Sequence, residues 1–111
     1  MPARNEAFLL TYQELDTAYG AGPLAFSIYV LLRSWMDEAM GVVGVSRPIS
    51  MHMLAMYCET HTPKGKGEMV EKPSYEQIRT ALARLKRAGL VVPWKGPSFA
   101  FGLPLSVVER E

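Results

Sequence analysis

Between residues 73 and 91 the apolar and polar positions alternate as on one amphipathic helix. Ile78, Leu82 and Leu85 recur at i, i+4 and i+7. Ser74 is a suitable N-cap, and Gln77 three residues on completes a capping box. Gly89 stands where a helix ends in a left-handed residue, so the pattern predicts a helix over 75–88. Residues 90–94 then read as a strand, 95–98 as a turn and 99–101 as the returning strand, with Trp94 packing across the hairpin on Phe99 or Phe101.

The same reading predicts three earlier helices. Thr11 with Glu14 is a second capping box and starts a short helix over 12–19. Pro23 suits the first turn of a helix running from Leu24 to about Met40. That stretch is apolar on more than one face: Leu24, Ile28, Leu31 or Leu32, Trp35 and Ala39 make one stripe, and Phe26, Tyr29, Val30, Met36 and Met40 widen it. A helix of that kind is either central in a core or half of an interface. Two expectations follow: a homodimer through the 24–40 helix, with Phe26, Tyr29 and Met36 on its seam, or a monomer in which the 12–19 helix and the C-terminal tail cover that face. Residues 41–45 predict a short strand between glycines. Ser50 caps a helix from Met51 to about Glu59, and 62–73 predicts a polar loop punctuated by Pro63, Gly65, Gly67 and Pro73. Residues 1–10 are expected as a loosely held arm and 104–111 as a tail.

Composition bounds the class. The 111 residues make one domain. The longest apolar run, near residues 24–32, is too short to span a bilayer, no signal-peptide pattern opens the chain, and the one cysteine, Cys58, excludes an intrachain disulfide. These features lead us to expect a soluble cytoplasmic protein. The net charge of +1 says little, but its distribution says more. Residues 1–63 carry a net −3, residues 64–96 a net +5 and residues 97–111 a net −1. The positive charge falls on the 75–88 helix, the loop before it and the hairpin turn, a distribution that favours contact with nucleic acid over a merely solvated helix face.

Other chemistry is thin. His52, Cys58 and His61 are spaced as a partial zinc set, but a fourth ligand is lacking, and a core thiol with surface histidines is the simpler account. Gly65 and Gly67 lack the Lys-Ser/Thr context of a phosphate loop. No nucleophile stands in sequence beside a candidate base, so neither an enzyme nor a cofactor is expected.

The segment Pro48-Ile-Ser-Met-His-Met-Leu-Ala55 resembles the first helix of the helix-turn-helix in winged-helix regulators. Residues 74–90, with Ile78, Ala81-Leu82, Leu85 and Ala88-Gly-Leu90, are similar to the recognition-helix signature of the same family. Residues 28–41 resemble the lead-in helix of winged-helix domains in phage and plasmid replication initiators. The resemblance covers about residues 24–103 and implies a mainly α fold with a small β-hairpin, a winged helix-turn-helix. It departs from the family in an insertion over about 61–73 and a short hairpin turn.

The function so implied is sequence-specific binding of double-stranded DNA, as a transcriptional regulator of bacterial, phage or plasmid origin. The alternatives are a replication-initiation or partition accessory and a winged helix used only for protein–protein contact. Tyr75, Gln77, Arg79 and Thr80, beside the cap Ser74, are the candidate base-edge residues, with Arg79 suited to guanine and Gln77 to adenine. Arg84 and Arg87 are candidate phosphate ligands, as are Lys64, Lys66, Lys72 and Lys95 from the insertion and hairpin, and Ser50 is a candidate donor at its helix N-terminus.

Overall fold

The computed structural model describes residues 7–64, 67–96 and 99–106. In chain order they form α1 (Tyr12–Gly20), α2 (Pro23–Trp35), β1 (Val42–Val43), α3 (Met51–Tyr57), β2 (Thr60–Lys64), β3 (Gly67–Glu71), α4 (Tyr75–Arg87), β4 (Val92–Pro93) and β5 (Phe101–Gly102). The fold is mainly α: four helices and a small antiparallel sheet of order β1-β5-β4, with β2 and β3 paired as a separate ribbon. Among the described residues no helix is long and apolar enough to cross a membrane. Residues 1–6 of the expected arm and 107–111 of the expected tail lie outside the described residues.

α2 is the central element. It buries Ala25, Ile28, Tyr29, Leu32, Arg33 and Trp35, and α1, α3, α4 and β1 all pack against it. Each fully buried Ile or Leu contributes about 1.5–3 kcal/mol, so this helix organises the core. It stops at Trp35 instead of running to 40. Asp37 takes over the backbone there: its carboxylate accepts from Ala39 N at 2.9 Å and Met40 N at 3.3 Å, while its own N–H donates to the Val42 carbonyl at 2.9 Å. A short acidic side chain that satisfies nearby N–H groups offers the chain a turn in place of another helical turn. The turn delivers β1 antiparallel to β5, Val43 opposite Phe101.

The seam expected for a dimer through this helix is not available. Tyr29 is 1% exposed and Met36 6%, inside the chain's own core, and Phe26 is partly buried with its ring edge-on to Tyr19 at 6.1 Å. α1 covers that face, and it does so with polar chemistry. Glu14, buried at 0% exposure, accepts from the Tyr29 hydroxyl and from Arg33 Nε at 2.8 Å through one oxygen, and from Thr11 N at 2.9 Å through the other. Arg33 also donates to the Leu9 carbonyl and reaches Glu38 at 3.3 Å. One carboxylate therefore closes the α1 capping box and anchors α1 to α2.

The region expected as a loop over 62–73 is instead a β-ribbon. β2 and β3 pair antiparallel with Thr60 opposite Glu71 and Lys64 opposite Gly67. Pro63 is tolerated because a two-stranded ribbon leaves one edge of each strand unpaired. The ribbon stands between α3, capped by Ser50 Oγ accepting from Met53 N at 3.1 Å, and α4.

α4 ends as its sequence predicts. Gly89 adopts φ +81°, its N–H donates to the Lys86 carbonyl at 3.1 Å, and Leu90 N reaches back to Leu85 O at 3.0 Å. Leu90 and Val91 then enter the core at 0% exposure, which delays strand pairing to Val92. Phe99 stacks edge-on to Phe101, at 4.9 Å between ring centroids, rather than on Trp94, whose ring lies against Gly102.

Candidate nucleic-acid interface

α4 presents the cationic surface. Its capping box forms in full: Ser74 Oγ accepts from Gln77 N at 3.1 Å, and Gln77 Oε1 accepts from Ser74 N at 2.8 Å. Ile78, Ala81, Leu82 and Leu85 face inward and leave everything else on the helix exposed. At 100° per residue the outermost stripe is Glu76, Thr80, Ala83 and Arg87. Arg79 and Lys86 flank it on the side of the β4–β5 hairpin. Gln77 and Arg84 flank it on the side of α1 and α2.

Each flank borders a cavity. One, of about 280 Å³, is lined by the start of α2 at Gly22 and Pro23 and by Gln77, Thr80 and Arg84. The other, of about 530 Å³, is lined by Arg79, Ala83, Lys86, Trp94 and Phe99. α4 is thus the ridge between two grooves, with a cation or two on each wall.

The expected residues are not equally available. Gln77 has its carbonyl oxygen committed to the cap, so a bidentate contact with adenine would require breaking that bond. Ser74 is occupied in the same way. Arg79 pairs with Glu76 at 3.0 Å, with 62% and 82% of the two side chains exposed. Such a surface pair is worth under about 1 kcal/mol and yields readily to a better partner. Arg84 Nη1 leans 3.5 Å from the Ala21 carbonyl, at the C-terminal end of α1 where a cation is favoured. Arg87 and Thr80 are exposed on the outer stripe, and Tyr75 is 44% exposed.

Lys72 is exposed just before α4, and Lys95 is exposed at the hairpin turn. Lys66 and the side chain of Lys64 lie outside the described residues. Ser50 is half-buried, with its oxygen engaged in the α3 cap. The geometry brings Tyr75, Arg79, Thr80, Arg84 and Arg87 onto one helix, with Lys72 beside its start, while Ser50 and Ser74 serve chiefly as caps.

Two residues of this surface stand outside the expected DNA-contact set. Lys86 stands seven positions after Arg79 and so shares its flank, a signal present in the spacing. Glu76 places a negative charge on the outermost stripe, beside Arg79.

Among the described residues no three His, Cys, Asp or Glu side chains stand together as metal ligands; the His61 side chain lies outside them. Cys58 is a free, half-buried thiol whose pKa is pushed up by burial, the opposite of what a reactive cysteine needs.

The chain matches no protein-family model, no curated protein and no solved structure.

Proposed function

We propose that this chain is a winged helix-turn-helix protein that binds double-stranded DNA sequence-specifically and acts as a transcriptional regulator of bacterial or mobile-element origin. The observation that carries the reading is the exposed face of α4, where Arg79, Arg84, Lys86 and Arg87 surround the uncharged Thr80 and Ala83. A ridge of this width suits the major groove, which admits one α-helix. The element order supports the reading as well. α2, β1, α3, α4 and the β4–β5 hairpin come in the order of a lead-in helix, strand, motif helices and wing, with the β2–β3 ribbon inserted between α3 and α4 and a sheet order of β1-β5-β4. In this reading Arg79 and Thr80 address base edges. Arg84, Arg87, Lys72 and Lys95 address phosphates. Glu76 is suited to accept from the cytosine amino group once Arg79 turns to a guanine. A replication-initiation or partition role would use the same surface.

A second reading, a winged helix used only for protein–protein contact, is favoured by Glu76 on the outermost stripe and by the modest net charge of +1. Binding to random duplex DNA across a salt series separates the two. A DNA binder loses affinity with a log–log slope of about −0.9 for each phosphate neutralised. Absence of any salt-dependent binding would remove the DNA reading. Where binding is found, selection from a random pool gives the target sequence.

A further inference from the structure

The stripe of α4 that faces the β4–β5 hairpin has an apolar middle and a cation at each end. Arg79, Leu82, Ala83 and Lys86 fall at i, i+3, i+4 and i+7. The hairpin turns an aromatic face towards them. Pro93 pairs with Phe101, so their side chains share one side of the hairpin, and Phe99, two residues before Phe101, lies on that side as well. The Phe99 ring stands edge-on to Phe101 at 4.9 Å. The space between helix and hairpin, about 530 Å³, stays open because α4 offers only the methyl of Ala83 at its middle. Among the described residues no carboxylate lines it. The two end cations differ. Arg79 is paired with Glu76 at 3.0 Å, whereas Lys86 has no carboxylate partner among the described residues.

We propose that this groove binds a small organic monoanion, an aryl carboxylate of one or two rings. Its carboxylate meets the Lys86 ammonium, and its rings lie between Ala83 and Phe99. Charge and shape together select this occupant. The volume falls within the roughly 300–1,000 Å³ of small-ligand sites, which join apolar walls to a few polar groups that fix orientation. Aromatic and aliphatic carbon lines the middle, and an unpaired ammonium stands at one end only. At the other end the Arg79–Glu76 pair carries no net charge, so a second anionic group gains nothing there. The site does not depend on DNA binding. One consequence does rest on the DNA reading: an occupied groove engages Lys86 and covers the flank beside Arg79, so the ligand and DNA compete.

The test is an amide NMR titration of the full chain with sodium naphthalene-2-carboxylate, without DNA. Its failure therefore leaves the DNA reading standing, and a failure to bind DNA leaves this site standing. The expected result is a dissociation constant of about 0.1–1 mM, with shifts concentrated at Ala83, Lys86, Phe99 and Phe101. Naphthalene-2-methanol has the same rings and no charge, and should bind about three- to fivefold more weakly, the size of one partly exposed ion pair. Lys86→Gln, at an exposed position, should weaken the carboxylate to the level of the alcohol. Ala83→Leu, also exposed in the parent, fills the groove and should abolish both titrations while leaving amide positions outside the groove unchanged. The proposal is overturned by an absence of shifts at the groove, by equal affinity for carboxylate and alcohol, or by a carboxylate affinity that Lys86→Gln leaves untouched. Titrations that survive Ala83→Leu overturn it as well.

Discussion

Arg33→Met removes the cation from a buried cluster and should be among the most damaging single substitutions in the chain. The Arg33 and Glu14 side chains are 1% and 0% exposed, with Nε and Oε2 2.8 Å apart. Three Arg33 contacts are lost, and they are not equal. The Glu38 contact involves a carboxylate that is 55% exposed, which discounts it to under about 1 kcal/mol. The Leu9 carbonyl belongs to a residue at the surface, where water can replace the guanidinium. The Glu14 carboxylate cannot find water, and only the Tyr29 hydroxyl and Thr11 N–H remain to it. An uncompensated buried charge of this kind costs about 3–5 kcal/mol. In a domain whose total stability is about 5–15 kcal/mol, that is about a fifth or more, and at ~4 °C per kcal/mol it lowers Tm by roughly 12–20 °C. Glu14→Gln added to Arg33→Met removes the orphaned charge and should restore at least half the loss. Urea unfolding read by the fluorescence of Trp35, 7% exposed in the core, gives the three free energies by linear extrapolation. A loss below about 1 kcal/mol for Arg33→Met, or a double variant no better than the single, would refute the assignment of Glu14 as a buried carboxylate held by Arg33.

Further outcomes are expected at other positions. The Tyr29 hydroxyl is held protonated well above its ordinary pKa of 10.0, first by burial and then by the hydrogen bond to Glu14. The unfolded chain ionises near the ordinary value, so the Tyr29 contribution is full below about pH 10 and declines above it. Urea midpoints at pH 8 and pH 10.5 should fall less for Tyr29→Phe than for the parent, and equal falls would show that other groups drive alkaline unfolding. Gly44→Ala should cost at least about 2 kcal/mol in a thermal melt, because φ is +97° and the new Cβ would stand 2.3 Å from the Phe99 carbonyl oxygen. Gly20→Ala, at the last residue of α1 with nothing within 4 Å, should stabilise by about 0.4–1 kcal/mol; the opposite order of the two glycine variants would contradict the backbone described. Arg79→Ala should weaken a selected DNA site by about 1–3 kcal/mol and relax one base position, whereas Glu76→Ala should tighten binding to random duplex. Unchanged affinity and base preference in Arg79→Ala would take base reading away from that side chain.

The parts of the fold written in local chemistry were legible. Both capping boxes formed where Thr11/Glu14 and Ser74/Gln77 predict them, and α4 closes at Arg87, one residue from the expected boundary. Failures came where a tertiary partner or a short polar residue overrode periodicity. The apolar pattern of α2 continues through Met40, but Asp37 satisfies the backbone locally and ends the helix. The β2–β3 ribbon was hidden by its own prolines and glycines, which signal loops. Only the pairing of Thr60 to Lys64 with Gly67 to Glu71 reveals it, and cross-strand register is not a property of either strand alone. The seam expected at Tyr29 and Met36 failed for a related reason. α2 is apolar on two faces, as its sequence indicates, and one of them is covered by α1, as in the monomer alternative. Its covering residue is a glutamate whose charge is neutralised by an arginine nineteen positions away, a pairing that no periodicity reports.

For the candidate interface the sequence supplies the residues but not their availability. Counting charges ranks Arg79 first, since it lies early in α4 where a groove-inserted helix meets base edges. The helix geometry divides the cations instead. Arg79 and Lys86 belong with the Trp94 side of the ridge, Arg84 is drawn to the end of α1, and Thr80, Ala83 and Arg87 share the outermost stripe with Glu76. A groove floor approached along that stripe meets one acid, one hydroxyl and one methyl before it meets the terminal arginine. Such a surface gains little from charge at its centre and takes its affinity from the flanks, so sequence preference and salt dependence should reside in different side chains. Thr80→Val removes a hydroxyl while keeping shape and charge, so it should alter base preference and leave the salt slope untouched. Arg84→Gln, on the flank towards α1, should do the reverse. If both variants moved both quantities together, the division of α4 into a reading stripe and charged flanks would be wrong, and the helix would contact DNA edge-on through one flank only.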